Sequence, residues 1–299
     1  MKVVRAGVLG FCMGVRRAVE IAERASLKAG RTGGLFTLGP LIHNSGVLEN
    51  LKKRGVICLD ENEIRSLSAD SAVIIRAHGV SPAVEKELLK KGIRVLDATC
   101  PRVKLSQSKA RGFVESGYRL FIAGEENHGE IAGLKGYAED GFPGGASSAV
   151  PPCFVVGNAE EARAAAGELY RCEPEAKTAL IAQTTIRAEE YRIIGETIQR
   201  FYPSLEIVDS ICTATVDRQN ALRELVKADA IIVAGSRESA NTLRLLSLAK
   251  EMGKPAWLVE AVSDIPPEIA AYGTVGLSAG ASTPDELIAE IEEALICHC

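Results

Sequence analysis

The chain has 299 residues, of which 46% are hydrophobic and 25% are charged, and its formal net charge is −4. A chain of this length exceeds one ordinary hydrophobic core, so two or three domains are expected. The acidic balance argues against a general nucleic-acid-binding protein, because such proteins usually carry a basic surplus.

Apolar runs typical of buried strands alternate with segments of helical periodicity along the whole chain. The predicted strands are 3–9, 35–38, 56–59, 72–75, 93–96, 119–123, 154–156, 179–182, 205–208, 230–233, 256–259 and 274–277. The predicted helices are 15–29, 45–54, 81–91, 103–116, 159–169, 189–200, 218–227, 242–252 and a last one beginning near 284. A stretch rich in Gly, Ser and Pro at 140–152 is expected to be a surface excursion.

This alternation predicts an α/β fold with mostly parallel sheets that are covered on both faces. The rhythm, without a clean sequence repeat, predicts three similar α/β domains at residues 1–98, 99–208 and 209–299. Ligands of such sheets bind beyond the carboxyl ends of the strands, so residues that follow strands are the candidates for function.

Compartment and membrane association are predicted from what the chain lacks. No apolar run approaches the ~20 residues of a membrane span, and the apolar stretch near the N-terminus is too short for a signal peptide. A cytoplasmic protein without a membrane partner is therefore expected. In a reducing compartment, eight cysteines favour metal binding or catalysis over a disulfide scaffold.

Three cysteines follow predicted strands and precede helical segments: Cys12, Cys100 and Cys212. Pro101 suits a first helical position, and a helix N-terminus favours thiolate over thiol. Three thiolates from separate segments are compatible with an iron–sulfur cluster or with zinc that keeps one open position. Each cysteine by itself is more often a buried structural residue. Cys58, Cys153 and Cys172 have no recognisable context, and Cys297-His298-Cys299 is at most a weak metal site.

Three of the four histidines, His43, His78 and His128, lie in loops that follow strands. Imidazole is a good hydrogen-bond donor to phosphate oxygens. Short hydroxyl and amide donors beside helix N-termini add to an expected anion site, although each also suits an N-cap; they are Ser239, Asn241 and Ser282. No Walker loop or dinucleotide-binding fingerprint is present.

Glu130, two residues after His128, is a candidate proton donor, because a carboxyl group in a desolvated pocket can stay protonated near neutral pH. Thr184 in Gln183-Thr184-Thr185 is a candidate to orient that proton. The structural alternatives are an acid in the first turn of a helix for Glu130 and a helix cap for Thr184.

Eight short motifs occur in one order: Gly10-Phe11-Cys12-x-Gly14-Val15, Ile42-His43-Asn44, Ala77-His78-Gly79-Val80-Ser81, Asp97-Ala98-Thr99-Cys100-Pro101, Gln183-Thr184-Thr185, Ile211-Cys212-x-Ala214-Thr215, Arg218-Gln219 and Ala279-Gly280-Ala281-Ser282. Together they resemble the 4-hydroxy-3-methylbut-2-enyl diphosphate reductase family, from about residue 4 to about residue 290.

The resemblance implies a pseudo-threefold trefoil of three α/β domains around one 4Fe–4S cluster. By this resemblance Cys12, Cys100 and Cys212 hold the cluster, and a fourth iron without a cysteine binds the substrate hydroxyl. Two electrons and two protons then remove the hydroxyl as water, which leaves isopentenyl and dimethylallyl diphosphates, the last step of non-mevalonate isoprenoid synthesis.

The resemblance also implies a role for each site residue and an electron donor. Glu130 is the proton source, Thr184 orients it, and the donor is a reduced ferredoxin or flavodoxin. Diphosphate binding falls to His43, His78, His128, Ser239, Asn241 and Ser282. The chain departs from the family pattern in four places, which leave affinity and product ratio open: Val8-Leu9, Gly129 for a usual proline, Ala240 for a usual serine, and Val216-Asp217.

Two other functions are weighed against this one. The cluster of a three-domain protein can act as a Lewis acid for dehydration and condensation, as in quinolinate synthase, but His128 with Glu130 beside an anion site favours the reductase. A non-enzymatic zinc-binding or interaction protein with structural cysteines is the third hypothesis, and the metal content of the protein discriminates it.

Overall fold

The computed structural model describes residues 1–27, 33–143 and 149–297. Within these residues, strands and helices alternate along the chain. The strands are β1 (Lys2–Arg5), β2 (Leu35–Leu38), β3 (Val56–Leu59), β4 (Ala72–Ile75), β5 (Arg94–Asp97), β6 (Arg119–Ala123), β7 (Cys153–Val156), β8 (Thr178–Ala182), β9 (Glu206–Ile207), β10 (Ala230–Ala234), β11 (Ala256–Val259) and β12 (Thr274–Ala279). The helices are α1 (Met13–Leu27), α2 (Ser45–Lys53), α3 (Pro82–Lys90), α4 (Pro101–Glu115), α5 (Gly129–Asp140), α6 (Ala159–Cys172), α7 (Ala188–Gln199), α8 (Thr213–Arg223), α9 (Ala240–Glu251) and α10 (Asp285–Cys297).

The chain divides into two compact units. The first comprises Met1–Glu23, Ile42–Arg54 and Cys212–Cys299, and the second comprises Arg24–Leu41 and Gly55–Ile211. The first unit holds one four-stranded sheet with the order β1-β12-β10-β11. The second unit holds two sheets, with the orders β3-β2-β4-β5 and β7-β6-β8-β9.

All strand pairs in the three sheets are parallel. The three sheets share one strand order. The second strand of each sheet is an edge strand beside the first strand, and the third and fourth strands follow on the opposite side of the first strand. In the sheet of the first unit, the fourth position is taken by β1, which pairs with β12. The predicted α/β class with three parallel-sheet units is confirmed.

Helices cover both faces of the sheets, as parallel strands require. In β7-β6-β8-β9, Phe121 and Leu180 pack with α6 and α7, whereas Leu120 and Ile181 pack with α4 and α5 on the other face. In the sheet of the first unit, residues of α10 cover one face and residues of α8 and α9 cover the other. The carboxyl ends of the strands therefore remain the place where loops can carry function.

Several predicted element bounds are wrong by a few residues. The strand predicted at 3–9 ends at Arg5, since the chain leaves the ladder after the Ala6 N–H bonds to Leu277 O, and Gly10 has a φ of +77° that no strand adopts. The helix predicted at 218–227 begins at Thr213 instead, directly after Cys212. Part of the helix predicted at 15–29, part of the excursion at 140–152, and His298 with Cys299 lie outside the described residues.

The domain boundaries at 98/99 and 208/209 stay predictions. The two compact units group the N-terminal residues with the last third of the chain, through the pairing of β1 with β12. In the described ranges, no helix combines the length and the apolar character needed to span a membrane.

Candidate active site

Each predicted site residue follows a strand along the chain. The cysteines follow the fourth strand of each sheet, whereas the other candidates follow the first and third strands. The three fourth strands, β1, β5 and β9, are followed by Cys12, Cys100 and Cys212. The first and third strands of each sheet are adjacent and mark its topological switch point, where ligands of such sheets bind. The polar candidates follow these strands: His43 and His78; His128 with Glu130 and Thr184; Ser239 with Asn241 and Ser282.

The three cysteines share one local geometry. Each is half-buried and not in a disulfide, and each carbonyl accepts a hydrogen bond from the first turn of the following helix: Arg16 N at 2.9 Å, Lys104 N at 2.9 Å and Thr215 N at 2.8 Å. The Val15 N–H also points at Cys12 Sγ, 3.5 Å away. A helix N-terminus that faces a sulfur stabilises the thiolate, which is the form that binds metals.

Negative charge is absent from the first turns of the helices that follow the three cysteines, His43 and Ser239. Among the described helices, α1, α2, α4, α8 and α9 have no acidic residue in the first turn, whereas α6, α7 and α10 have two each. The first five helices follow Cys12, Asn44, Cys100, Cys212 and Ser239. In a chain of net charge −4, these N-termini thus keep their positive potential for thiolates or a bound anion.

The Cys100 turn in the second unit is fixed by Asp97. The Thr99 N–H donates to Asp97 Oδ1 at 2.9 Å, Lys104 pairs with Asp97 Oδ2, and the Cys100 N–H donates to Ala77 O at 2.9 Å. Burial pushes the pKa of Asp97 upward, but the hydrogen bonds from Lys104 and Thr99 outweigh burial and hold it below its ordinary value. Asp97 is therefore an anion that anchors the turn.

The predicted anion-site residues of the first unit lie at the ends of β10 and β12, which are paired up to Ala234 and Ala279. Ser239 is the N-cap of α9, and its Oγ accepts from Thr242 N at 3.4 Å. Asn241 is 4% exposed, and its Nδ2 has no hydrogen-bond partner. A buried amide donor without a partner costs about 1–3 kcal/mol, so Asn241 Nδ2 is a donor that a ligand or an ordered water would satisfy.

Ser282 links this arrangement to two other candidates in the first unit. Its Oγ donates to His43 O at 2.9 Å, and the neighbouring Ala281 O accepts from the Cys12 N–H at 3.1 Å. The loop after β12 therefore supports the His43 loop and the Cys12 loop. These residues are 239 and 269 positions apart in sequence, so only the fold brings them into contact.

In the second unit, Glu130 and Thr184 lie at the ends of the neighbouring strands β6 and β8, which pair Ala123 with Ala182. Glu130 is 1% exposed. Thr184 N donates to Glu130 Oε1 and Thr184 Oγ1 bonds Glu130 Oε2, each at 2.8 Å. A buried carboxyl group held by two hydrogen bonds in a fixed orientation is suited to deliver a proton.

His128 precedes α5 as its N-cap, and its Nδ1 accepts from Glu130 N at 3.2 Å. That bond leaves the proton of the neutral imidazole on Nε2, which makes Nε2 a donor. The His78 ring meets the His128 ring edge to face, with centroids 5.0 Å apart. The two imidazoles thus form one donor pair beside Glu130.

Arg76 was not predicted as a site residue, although it is two positions before His78. Its Nε donates to Gly79 O at 3.1 Å, and its Nη2 pairs with Glu61 Oε1 at 3.1 Å. A Cβ on Gly129 would lie 3.1 Å from the Arg76 guanidinium carbon. Gly129, where the resemblance implies proline, therefore leaves room for the Arg76 side chain. In the sequence, Arg76 could have been found from this glycine in place of proline and from an arginine two positions before His78.

The family model described as LytB protein matches residues 3–296. The chain belongs to the LytB family. It is 45% identical over 320 residues to the 4-hydroxy-3-methylbut-2-enyl diphosphate reductase of Treponema pallidum, covering 98% of this chain and 83% of that one. It is 43% identical to the reductase of the same name from Treponema denticola, with 99% of both chains covered.

Two solved structures are similar to this LytB-family chain. One, the terminal enzyme of the non-mevalonate pathway, (E)-4-hydroxy-3-methyl-but-2-enyl diphosphate reductase, is 33% identical with a TM-score of 0.70 and 99% of both chains covered. The other, the E-1-hydroxy-2-methyl-but-2-enyl-4-diphosphate reductase of Plasmodium falciparum, is 25% identical with a TM-score of 0.86, covering 98% of this chain and 87% of that one. The LytB family is a family of metalloenzymes.

The donors of this LytB-family chain suit a thiolate-bound metal centre. Cys12, Cys100 and Cys212 are reduced thiols at helix N-termini, and soft thiolate ligands select iron–sulfur clusters or zinc. Cys153 is buried with its pKa raised by that burial to about 12, which makes it an inert thiol. Cys58 and Cys172 are exposed on other elements.

Proposed function

We propose that this protein reduces (E)-4-hydroxy-3-methylbut-2-enyl diphosphate to isopentenyl and dimethylallyl diphosphates, the last step of the non-mevalonate pathway. The observation that carries this proposal is 43–45% identity, over nearly the whole chain, to reductases of that name. In the reaction the allylic C–O bond breaks, two electrons and two protons are consumed, the oxygen leaves as water, and a C–H bond forms.

The proposed cofactor is one 4Fe–4S cluster held by Cys12, Cys100 and Cys212. Support comes from the common setting of the three thiols before helices without acidic first turns. When bound, such a cluster supplies electrons one at a time and, with three cysteine ligands, an iron atom with an open coordination position.

The proposed diphosphate ligands are donors at the switch points of the sheets. Asn241 Nδ2 is buried without a partner, and the N-terminus of α9 has no competing acid. Ser239 adds a hydroxyl proton that its cap bond does not use, and the imidazoles supply N–H donors. The Ser282 hydroxyl donates to His43 O in the structure and would turn from that bond to reach a phosphate oxygen. The full set is His43, His78, His128, Ser239, Asn241 and Ser282. At residue 240, where the resemblance implies a serine, alanine leaves the backbone N–H as the donor.

Glu130 is the proposed proton donor and Thr184 its positioning partner. The Thr184 hydroxyl can rotate, so it donates to Glu130 Oε2 when the carboxyl group is ionised and accepts from it when the group is protonated. The 2.8 Å pair therefore persists in both protonation states. Burial of Glu130 excludes bulk water as a competing proton source.

The proposed electron donor is a reduced ferredoxin or flavodoxin, and the proposed compartment is the cytoplasm. Both follow from the family resemblance and from the low-potential one-electron chemistry that a 4Fe–4S cluster performs.

The test is anaerobic purification followed by iron, sulfide and zinc analysis and electron paramagnetic resonance before and after substrate is added. About four irons and four sulfides per chain, a signal that substrate changes, and conversion of substrate to the two five-carbon diphosphates under dithionite and methyl viologen are expected. A protein that contains the cluster but consumes no substrate contradicts the reductase. A colourless protein with stoichiometric zinc contradicts the cluster itself.

A further inference from the structure

The side chain of Arg218, in α8, bonds the loop before Cys12 and the first turn of its own helix, which follows Cys212. Its Nη2 donates to Gly10 O at 2.5 Å and its Nη1 donates to Ala214 O at 2.7 Å. Gly10 lies two residues before Cys12, and Ala214 lies two residues after Cys212. One guanidinium group thus joins the loop before Cys12, 208 positions away, to the first turn of its own helix, which directly follows Cys212.

The charge of Arg218 is buried and is not neutralised by a carboxylate bonded to it. The residue is 3% exposed, its two hydrogen-bonded partners are neutral carbonyls, and its Nε has no hydrogen-bond partner. An arginine keeps its charge inside a protein, and a buried cation without compensation costs several kcal/mol. The site must therefore receive negative charge from another source.

The two cysteines can supply that charge. Burial lowers the pKa of Arg218, while negative charge on Cys12, on Cys212 and on the neighbouring Asp217 acts in the opposite direction. Both sulfurs thus lie close enough to the guanidinium for their charges to affect it. The Val15 N–H of α1 also points at Cys12 Sγ, and Cys212 is the N-cap residue of α8, so both cysteines adjoin the positive end of a helix as well as the cation.

We propose that Arg218 is a positioning residue whose buried positive charge raises the reduction potential of the cluster held by Cys12 and Cys212. The inference rests on the cluster proposed above. Each electron that enters the cluster adds a negative charge beside the guanidinium, and in a low-dielectric interior that charge is stabilised by a fixed cation. The two carbonyl bonds hold the cation in place, because the planar guanidinium can donate in two directions at once.

The experiment compares Arg218→Gln, Arg218→Lys and the control Arg223→Gln. Arg223 is an exposed arginine on the same helix, bonded to Asn220. For each protein, iron and sulfide are measured, and the cluster is titrated potentiometrically with electron paramagnetic resonance. With the cluster present, Arg218→Gln is expected to lower the reduced-to-oxidised ratio at a fixed potential at least tenfold, which is a negative shift of about 59 mV for one electron. Arg218→Lys is expected to stay closer to the wild type, and Arg223→Gln to match it.

An unchanged midpoint in an iron-replete Arg218→Gln protein overturns the inference and leaves the proposed function standing. If Arg218→Gln holds no cluster, the cluster content and midpoint potential of Arg218→Lys test the inference instead. A cluster with a near-wild-type midpoint in Arg218→Lys supports the role of charge. Loss of the cluster from both variants, with circular dichroism melting unchanged, overturns it, since lysine keeps the charge. Absence of iron from the wild-type protein overturns the proposed function and this inference together.

Discussion

Thr184 bonds both carboxyl oxygens of Glu130, through its backbone N and its Oγ1, at 2.8 Å each. The pair joins residues 54 positions apart, and it holds the carboxyl group of a residue that is only 1% exposed in one orientation. The acidic proton of Glu130 and the hydrogen bonds that orient its carboxyl group can therefore be removed by different substitutions.

Glu130→Gln is expected to keep the geometry, because the amide oxygen can accept from Thr184 N and the amide nitrogen can donate to Thr184 Oγ1. The exchangeable proton is lost, so turnover is expected to fall by about 10²–10⁴, with cluster content and substrate affinity retained. Steady-state kinetics with iron analysis measures both.

The matched control is Glu126→Gln, an exposed carboxylate in the same loop, for which near-wild-type turnover is expected. Thr184→Val removes only the hydroxyl, and a smaller loss, of about tenfold, is expected since Thr184 N still holds Oε1. Near-full activity of Glu130→Gln would refute the role of the acid.

Asn241→Asp is expected to raise the KM for the diphosphate substrate by about 10–100-fold with a smaller change in kcat. The substitution turns the unpaired buried donor into an anion that faces the substrate phosphates, and like charges in a desolvated site repel strongly. Asn220→Asp, at an exposed position of α8, introduces the same charge and is expected to leave KM unchanged. Equal KM values for the two variants would exclude Asn241 from the anion site.

Cys100→Ser is expected to reduce iron and sulfide content to well below that of the wild type, because serine lacks the soft thiolate that an iron–sulfur cluster needs. Cys58→Ser, at an exposed cysteine on β3, is expected to keep full content. Colorimetric iron and sulfide assays after anaerobic reconstitution measure the difference. Full cluster content in Cys100→Ser would remove it from the ligand set.

Gly129 and Arg76 are expected to be coupled. Gly129→Ala should stabilise the start of α5 by up to about 0.5–1 kcal/mol, but the new Cβ would lie 3.1 Å from the Arg76 guanidinium. The gain is therefore expected only in the Arg76→Ala background. A double-mutant cycle in urea unfolding is expected to give an interaction energy of about 1 kcal/mol. Additive effects would show that the contact is not strained.

Stability is expected to fall in acid through the Arg119–Glu173 pair. The hydrogen bond from Arg119 holds the pKa of Glu173 below its ordinary value, against a smaller opposite effect of burial. A depressed folded-state pKa adds stability above the unfolded value of ~4.3 and loses it as the pH falls through the folded value. The side chain of Glu173 is one-third exposed, so the contribution is only about 0.2–1 kcal/mol.

The measurement is the melting temperature of the wild type and of Glu173→Gln at several pH values. The difference between them is expected to be present at pH ~6 and to vanish as the pH falls below the lowered folded-state pKa of Glu173. Glu175→Gln, at an exposed glutamate two residues away, serves as the control. A difference that stays constant with pH would contradict the pairing.

Much of this protein follows from the sequence alone. Apolar runs of four to six residues give nearly every strand, because burial on both faces of a parallel sheet leaves a local pattern. The candidate residues are found the same way, since loops after strands are short and marked by Gly, Pro, Asn and Ser. The predicted places of Cys100, His128 and Thr184 at strand ends are confirmed.

Only the tertiary structure decides which of these segments meet. β1 closes the sheet of the first unit against β12, Thr184 meets Glu130, and Arg218 reaches Gly10 across 208 positions. No local pattern marks these partners, because the entropy of closing a loop changes only slowly with its length and does not select one partner over another. Side-chain packing and the pairing of buried polar groups make that selection, and both exist only in the folded chain.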